Sequence, residues 1–528
     1  MRNRSRRSRR LQTWLPGLGL ALTAILAILT LAQLDASRSD KYGSLRRLLL
    51  PDASGAAWTM SLVGTSEGVA IAIVIVVVVL GVQLTADRYS PRIIDIFVRD
   101  PVNGGVLALF LGSIVFTIGV SAEIKSDYVP EIGVLVAIGL AILNFSILLP
   151  YVRHMFDIMR AESIITSIRI RALRSVRRAT SPKAHLKHRH EVRDALAQIT
   201  DIALGSIQEG DTEVCLSAIE ALRALIVEDY VPIKSQLQPW WFSVDEVDMP
   251  GASDQIIAQV DRTLTWVEHS VLSDFLDLIG ETPAFRKEVI HAIARATRSL
   301  GDIAIAHGDQ NLENLVIRFF NTYLRAAMNQ RAAPFAYSIF NEYRTFAVHA
   351  METRPELLLR VAEHLLAYGR SFDAAGMPFI IGTAAEDVAT MTTRSASSDL
   401  DRSMLLARMI ARSLQQMAPV AQPIALNGVL KATIKLALWA LASEHEEITG
   451  ILVEGIRNVP ADFLADALER MEQTREGVFW EVSDRVVAFD WVEEDLRELI
   501  PLLRARLQPA GTGLNGPARR SRRRRLST

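Results

Sequence analysis

The chain has 528 residues, of which 50% are hydrophobic, and its formal net charge is −1 at pH 7. This length exceeds one compact domain, and such an apolar fraction with positive mean hydropathy is unusual for a wholly soluble protein. We therefore expect a membrane part and a soluble part. The single cysteine, Cys215, excludes an internal disulfide framework and suits a reducing compartment.

Four apolar stretches in the first third of the chain reach the roughly 20 residues needed to cross a hydrocarbon core. They run from 14 to 34, 61 to 84, 102 to 124 and 132 to 152. We predict helices despite the many Val and Ile residues, because an unpaired strand backbone is costly in lipid. The first stretch follows six arginines and resembles a cleaved signal peptide in this respect, but its greater length favours an uncleaved anchor.

Lysine and arginine residues are distributed unevenly about these spans. With the N-terminus inside, the cytoplasmic side carries six arginines before the first span, three between residues 85 and 101, and seven between 153 and 178. The outside carries only five Lys and Arg residues. The positive-inside rule therefore predicts that both termini and the large C-terminal part are cytoplasmic.

Basic segments flank the membrane domain, residues 11–152. Residues 1–10 form a basic cytoplasmic tail, 153–190 form a linker and a juxtamembrane helix that follows the inner headgroups, and 508–528 form a disordered basic tail. Beside an anionic leaflet each bound arginine contributes about 1 kcal/mol, although simple topology determination explains these segments equally well. The candidate lipid contacts are Arg6, Arg7, Arg9, Arg10, Arg171, Arg174 and Arg178. We expect no nucleic-acid partner, because no aromatic residues interleave with the arginines.

From residue 191 to 507 the apolar residues repeat at helical intervals. The segment 201–211 resembles 302–309, and each is followed by another amphipathic pattern, which suggests stacked helix pairs of about 40 residues. We predict an all-α protein with four transmembrane helices followed by a cytoplasmic α-helical, repeat-like domain. That domain is either a solenoid or an irregular bundle.

Three adjacent aromatic residues, Trp240, Trp241 and Phe242, lie in the longest irregular segment of this domain, residues 229–253. They either plug the helical core or present an apolar contact to the membrane or a partner. The sequence leaves both interpretations open.

The segment from Tyr89 to Val120 carries a Ser-Pro-Arg triplet, an aspartate eight residues later, and a span in which Leu, Phe and Gly recur. The residues concerned are Ser90, Pro91, Arg92, Asp100, Leu109, Phe110, Gly112 and Phe116. This segment resembles the second-to-third span region of domain-of-unknown-function family 2254, an uncharacterised bacterial family of predicted membrane proteins. A poorer match at 199–222 has Glu209-Gly210-Asp211 where the family tends to have Asn-Asp-Pro. The resemblance implies a bacterial inner-membrane protein with four spans and brings no activity.

The loop that carries Ser90, Pro91, Arg92 and Asp100 has two interpretations. It is either a structural elbow between spans, since a serine before a proline favours a helix start, or a cytoplasmic mouth that binds an anionic headgroup or couples to the soluble domain. Its role is not defined by these residues.

One face of the last span has small residues at four-residue spacing, Gly133, Ala137 and Ala141, and Asn144 extends this face. Small residues let a neighbouring helix approach closely, and the amide can form a hydrogen bond across the interface. We predict intramembrane helix packing here; lining a transport pathway is the alternative.

Glu67 lies toward the predicted outer end of the second span, where its carboxylate can reach water. We therefore expect a snorkelling or capping group rather than a proton relay. The surrounding residues 64–68 fit the Gly-x-Ser-x-Gly pattern of hydrolases, but that motif requires a preceding strand in a parallel sheet, which this sequence does not predict.

These features predict an integral inner-membrane protein that is not an enzyme and that has no cofactor and no metal site. The first interpretation is a membrane-anchored helical interaction or regulatory scaffold with an unknown protein partner, because helical repeats leave an extended surface. The alternative is a homo-oligomeric channel or transporter-like protein gated by its helical domain. Four mostly apolar spans cannot enclose an aqueous path alone, so this alternative requires several copies.

Overall fold

In the computed structural model of the protein, the described residues are 52–88, 100–126, 128–181, 186–417, 422–478 and 488–508. Within these ranges the chain forms helices joined by short connections, and extended pairing is limited to isolated bridges such as Lys125 with Tyr128. The predicted all-α class is confirmed. The chain divides into two compact units at Leu222.

The first unit contains the apolar helices. The helices that its described residues form are α1 (Ala53–Arg88), α2 (Pro101–Glu123), α3 (Glu131–Met159), α4 (Ala161–Arg178), α5 (Lys187–Glu209) and α6 (Thr212–Ala224), which runs across the unit boundary. Each of the helices α1, α2 and α3 packs against the other two.

Among the described residues of this unit, three helices are long and apolar enough to cross a membrane. These candidate spans are Ala53–Gln83, Pro101–Glu123 and Ile132–Met159. Large apolar side chains such as Ile73, Val115 and Leu149 are exposed on them, as expected for a surface that faces lipid. The second predicted span begins earlier than expected and the last one ends later, while the first predicted span, 14–34, lies outside the described residues.

The start of α1 has a local cause. Asp52 accepts hydrogen bonds from the Gly55 N–H at 2.7 Å and from the Ser54 hydroxyl at 2.7 Å, so its carboxylate satisfies a backbone donor of the first turn. These hydrogen bonds lower the pKa of Asp52. The helix therefore begins eight residues before the apolar run that predicted it.

Helices α4 and α5 form a pair within the first unit. Buried residues of α4, among them Ile164, Ile168 and Ala172, follow helical spacing. The apolar face of α4 thus packs against protein. Helix α5, which the sequence assigned to the second domain, belongs to the first unit because it covers this face.

The second unit begins with a π-helix (Leu225–Tyr230) and two 3₁₀ segments (Val231–Gln236 and Pro239–Trp241). The following α-helices are α7 (Asp254–Thr263), α8 (Trp266–Glu281), α9 (Lys287–His307), α10 (Gln310–Asn329), α11 (Ala333–His349), α12 (Glu356–Ala374), α13 (Ile380–Ser395), α14 (Leu400–Met417), α15 (Pro423–Ala442), α16 (Glu446–Ile456), α17 (Ala461–Gln473), α18 (Glu494–Arg497) and α19 (Ile500–Leu507).

Helices α8 to α17 form two layers. The even-numbered helices pack in succession, α8 on α10 through to α14 on α16, and the odd-numbered helices do the same from α9 to α17. From α8 to α16 each helix also contacts the next helix in sequence. This arrangement is that of stacked helix pairs, as the repeat-like pattern predicted. We call α8 to α17 the helical array.

Helix α15 meets the same length and hydropathy criteria as the candidate spans, yet its surroundings differ. Within its apolar window 61% of residues are buried, compared with 17–28% for the three spans of the first unit. It contacts α13, α14, α16 and α17, which cover its apolar residues. We therefore assign α15 to the core of the array.

Candidate functional site

Polar side chains from three helices meet inside the membrane-spanning part. Glu67 of α1 accepts hydrogen bonds through Oε1 from the Ser113 hydroxyl of α2 at 2.6 Å and from the Asn144 amide of α3 at 2.7 Å. Glu67 and Asn144 are fully buried, and Ser113 is 2% exposed. One carboxyl oxygen therefore links all three helices.

Thr117 of α2 lies one helical turn from Ser113 on the same buried stripe. A Cβ atom placed on Gly64 would be 3.6 Å from Thr117 Cγ2, so Thr117 faces α1 one turn from Glu67. Among the described residues, Glu67 Oε2, Thr117 Oγ1 and Asn144 Oδ1 have no hydrogen-bond partner. We call Glu67, Ser113, Thr117 and Asn144 the Glu67 cluster.

The expectation that Glu67 reaches water is wrong. Because α1 begins at Ala53, Glu67 lies near the centre of the span Ala53–Gln83 and not near its outer end. Ser113 and Asn144 likewise lie near the centres of their helices. A fully buried carboxyl group at this depth cannot snorkel to the surface.

The buried residues of α2 form one stripe with spacings of three and four: Asn103, Val106, Phe110, Ser113, Thr117 and Val120. The stripe is polar at two positions along the helix: at Asn103 near its start, and at Ser113 and Thr117 near and beyond its centre. Val106 and the fully buried Phe110 lie between them along the stripe. Along α2, apolar side chains therefore separate the Glu67 cluster from Asn103.

The small-residue face of α3 lies in the packed interior. Ala137 is fully buried, Ala141 is 6% exposed, and Asn144 donates to Glu67. A Cβ atom on Gly133 would be only 3.0 Å from Val120 Cγ2, so glycine allows α2 to approach closely at this point.

A second polar group surrounds Asp100, the N-cap of α2. Its Oδ1 accepts the Val102 N–H at 2.7 Å and lies 3.5 Å from His154 Nε2. Burial raises the pKa of Asp100, but hydrogen bonds from His154 and from backbone N–H groups outweigh burial, and the net pKa is below its usual value. The Tyr151 hydroxyl donates to Asn103 at 3.1 Å. Ser90, Pro91 and Arg92, the other motif residues, lie outside the described residues.

The arginines predicted to contact lipid have different environments. Arg171 donates to Gln198 of α5 at 2.6 Å, so its guanidinium already contacts protein. Arg174 and Arg178 are exposed on α4. Arg6, Arg7, Arg9 and Arg10 lie outside the described residues.

The second unit contains a buried ion-pair network. Lys234 donates to Glu268 at 2.7 Å and to Asp309 at 2.8 Å, and Glu268 is fully buried. Burial raises the pKa of Glu268 although Lys234 opposes this shift. Burial lowers the pKa of Lys234, but the two carboxylates outweigh it and the net pKa is raised. The network ties the irregular segment to α8 and to the start of α10.

Of the three adjacent aromatic residues, Trp241 and Phe242 are part of the helical core. Trp241 is fully buried and Phe242 is 9% exposed. The Trp241 indole N–H donates to the Tyr230 hydroxyl at 3.2 Å, and its ring lies 5.4 Å from that of Trp266. These contacts fill the start of the second unit rather than presenting Trp241 as an exposed contact.

Sequence reasoning missed part of these sites. Ser113 and Thr117 were not singled out, although their helical phase with Phe110 was a usable signal. No local pattern connects Lys234 with Glu268 and Asp309, which lie 34 and 75 residues away. Among the described residues, no group of three or more His, Cys, Asp or Glu side chains could hold a metal ion.

Residues 10–227 match the model of a family described as "Predicted membrane protein (DUF2254)". The resemblance to this family is confirmed. The match covers the spans and ends close to the unit boundary, so the protein is a predicted multi-pass membrane protein. The family description names no enzymatic activity.

Two relatives and one solved structure complete the comparison. Uncharacterised proteins of Mycobacterium bovis (strain AF2122/97) and Mycobacterium tuberculosis (strain H37Rv) are each 25% identical over 108 residues, which is 20% of this chain and 21% of the relative. The match thus spans about a fifth of these relatives' length. A circular tandem repeat protein with novel repeat topology and enhanced subunit contact surfaces has a TM-score of 0.35 and 15% identity, covering 86% of this chain and 97% of that chain.

Proposed function

We propose that this protein is a membrane-anchored, non-enzymatic interaction scaffold, whose helical array binds a protein partner in the bacterial cytoplasm. The observation that carries the proposal is the exposure of large apolar side chains at three positions along one edge of the array. Phe285 is 78% exposed, Phe379 is 44% exposed and Ile424 is 58% exposed. Exposed aromatic and aliphatic residues of this kind anchor protein interfaces.

The topology relates these three residues. Short connections favour antiparallel neighbours, so connections from an even-numbered to the next odd-numbered helix lie at one edge of the array. Phe285 lies between α8 and α9, Phe379 lies between α12 and α13, and Ile424 is in the first turn of α15. We call this edge the apolar edge.

The opposite edge has a different character. Its connections carry exposed polar residues, among them Glu352, Ser397, Ser398 and Glu444. Leu400, at the start of α14, is an exposed apolar residue at this edge and is 41% exposed. The difference between the edges supports partner binding at the apolar edge.

The proposed orientation rests on charge. Helix α4 follows the last span directly and exposes Arg174, Arg177 and Arg178. We propose that α4 lies on the cytoplasmic side of the inner membrane, where these arginines contact anionic headgroups, each contributing about 1 kcal/mol.

Site-specific photo-crosslinking in cells tests the scaffold. A photoreactive phenylalanine derivative replaces Phe285, Phe379 or Ile424 in the full-length chain, and Leu400 is the matched position on the opposite edge. We expect one common partner protein to be captured from the three apolar-edge positions and not from Leu400. The variant Phe285→Ser/Phe379→Ser should lose this partner, while Leu400→Ser should keep it. Equal capture from both edges, or none, would contradict the proposal.

An oligomeric channel or transporter is the second candidate, and the burial of Glu67 within the spans favours it. Native mass spectrometry from nanodiscs counts the chains in the complex and the anionic lipids that remain bound. A single chain would exclude the pore, whereas four or more copies with an ion flux that Asn144→Leu alters would place the channel first.

For the proposed headgroup contacts, we expect fewer retained anionic lipids in Arg174→Ala/Arg178→Ala, and an unchanged number would contradict them.

A further inference from the structure

The two oxygen atoms of the Glu67 carboxyl group differ in their hydrogen bonds. Oε1 accepts hydrogen bonds from Ser113 and Asn144. Oε2 is buried and has no hydrogen-bond partner among the described residues. One oxygen is thus occupied by donors, and the other remains available to a ligand within the membrane.

No positive charge in the described parts of the three spans lies near this group. On α2 and α3 the titratable side chains that the structure describes are Glu123, Tyr151, Arg153, His154 and Asp157. Each is seven or more residues along its helix from Ser113 or Asn144, which corresponds to roughly 10 Å or more. Among the side chains of α1 that the structure describes, residues 53–83, Glu67 is the only titratable one. An ionised Glu67 would therefore lack a counter-charge from these residues.

The available oxygens favour a proton over a metal ion. An isolated charge is costly in apolar surroundings, so a carboxylate at this depth requires a proton or a cation. Hard cations take about six oxygen ligands. The cluster offers Glu67 Oε2, Thr117 Oγ1 and Asn144 Oδ1 as unused oxygens. A proton on Oε2 needs only one acceptor, and Asn144 is already in contact with this carboxyl group.

We propose that Glu67 is a proton-binding site within the membrane, with the proton on Oε2 shared with the Asn144 amide oxygen. Release of the proton places a negative charge between α1, α2 and α3, and binding removes it. The charge of this helix interface is therefore set by one proton. The site concerns the spans alone and is independent of partner binding by the helical array.

Infrared spectroscopy of the full-length protein in nanodiscs tests for the proton. A protonated carboxyl group has a carbonyl band at higher frequency than a carboxylate, and we expect Glu67→Gln to remove such a band at neutral pH. Glutamine has nearly the same shape and can still hydrogen-bond to Asn144, so this variant should fold. Glu123→Gln, which changes an exposed glutamate at the end of α2, should keep the band. An unchanged carbonyl region in Glu67→Gln would overturn the proposal.

Dicyclohexylcarbodiimide distinguishes a proton from a cation at this site. The reagent takes the acid proton onto one nitrogen while the carboxylate oxygen bonds to its central carbon, and the adduct rearranges to a stable N-acylurea. We expect peptide mass mapping to find this adduct on Glu67, with modification that declines as pH rises and does not change with sodium ions. Protection by sodium at constant pH would show that a cation occupies the site and would overturn proton binding.

Discussion

Replacing Lys234 by methionine is expected to lower the free energy of unfolding of the second unit by about 3–5 kcal/mol, the cost of leaving a buried charge without its partner. Lys234 is 13% exposed and contacts Glu268, which is fully buried. Methionine keeps much of the side-chain volume but removes the ammonium group. Urea unfolding of the full-length variant in nanodiscs, followed by tryptophan fluorescence, measures the effect because Trp241 and Trp266 lie in this region.

Lys435→Met is the matched control in the same unit. Lys435 contacts Glu386 at 2.7 Å, but these side chains are 21% and 34% exposed. A pair this accessible to water contributes about 0–1 kcal/mol. Equal losses in Lys234→Met and Lys435→Met would show that burial of Glu268 does not determine the effect.

The loss in Lys234→Met should depend on pH. Burial already raises the pKa of Glu268 in the presence of Lys234, and removal of the ammonium group raises this pKa further. A carboxyl group whose pKa is higher in the folded state binds its proton more tightly there, so stability falls as pH rises above the usual carboxyl range. The variant should thus be closest to wild type in mild acid. Glu268→Gln in the Lys234→Met background should recover stability at neutral pH, and a pH-independent loss would contradict this explanation.

Replacing Gly428 by alanine is expected to destabilise the helical array by about 1–3 kcal/mol. A Cβ atom on Gly428 would lie 2.8 Å from the Cα atom of Gly382 on α13. The obstacle is backbone and not a flexible side chain, so α13 and α15 must move apart. This overpacking should exceed the gain of about 1 kcal/mol that alanine brings to a helix.

Gly450→Ala supplies the control, since no described atom outside the adjoining backbone of its own helix lies within 4 Å of its Cβ position. This substitution in the exposed part of α16 should stabilise the protein by up to about 1 kcal/mol. Urea midpoints of the two variants should therefore shift in opposite directions. A Gly428→Ala protein as stable as Gly450→Ala would show that α13 and α15 are farther apart than the structure places them.

Much of the candidate site was accessible to sequence reasoning, but its assembly was not. Asn144 stands out as an amide inside an apolar span, and the small residues before it indicate the packed face. Glu67 was visible too, but its depth depends on where α1 begins. Capping by Asp52, outside the apolar run, decides that start, so a hydropathy-based boundary misplaced the carboxyl group.

Sequence alone determined that this protein is a helical membrane protein, because span length, apolar periodicity and arginine placement are local properties of the chain. Tertiary structure alone decided which distant side chains meet: Lys234 with Asp309, and Glu67 with Ser113 and Asn144. It also separated α15 from the spans, although all four helices are long and apolar enough to cross a membrane, because burial by neighbouring helices makes an apolar helix a protein core. Hydropathy measures only the preference to leave water, and packing decides whether lipid or protein satisfies that preference.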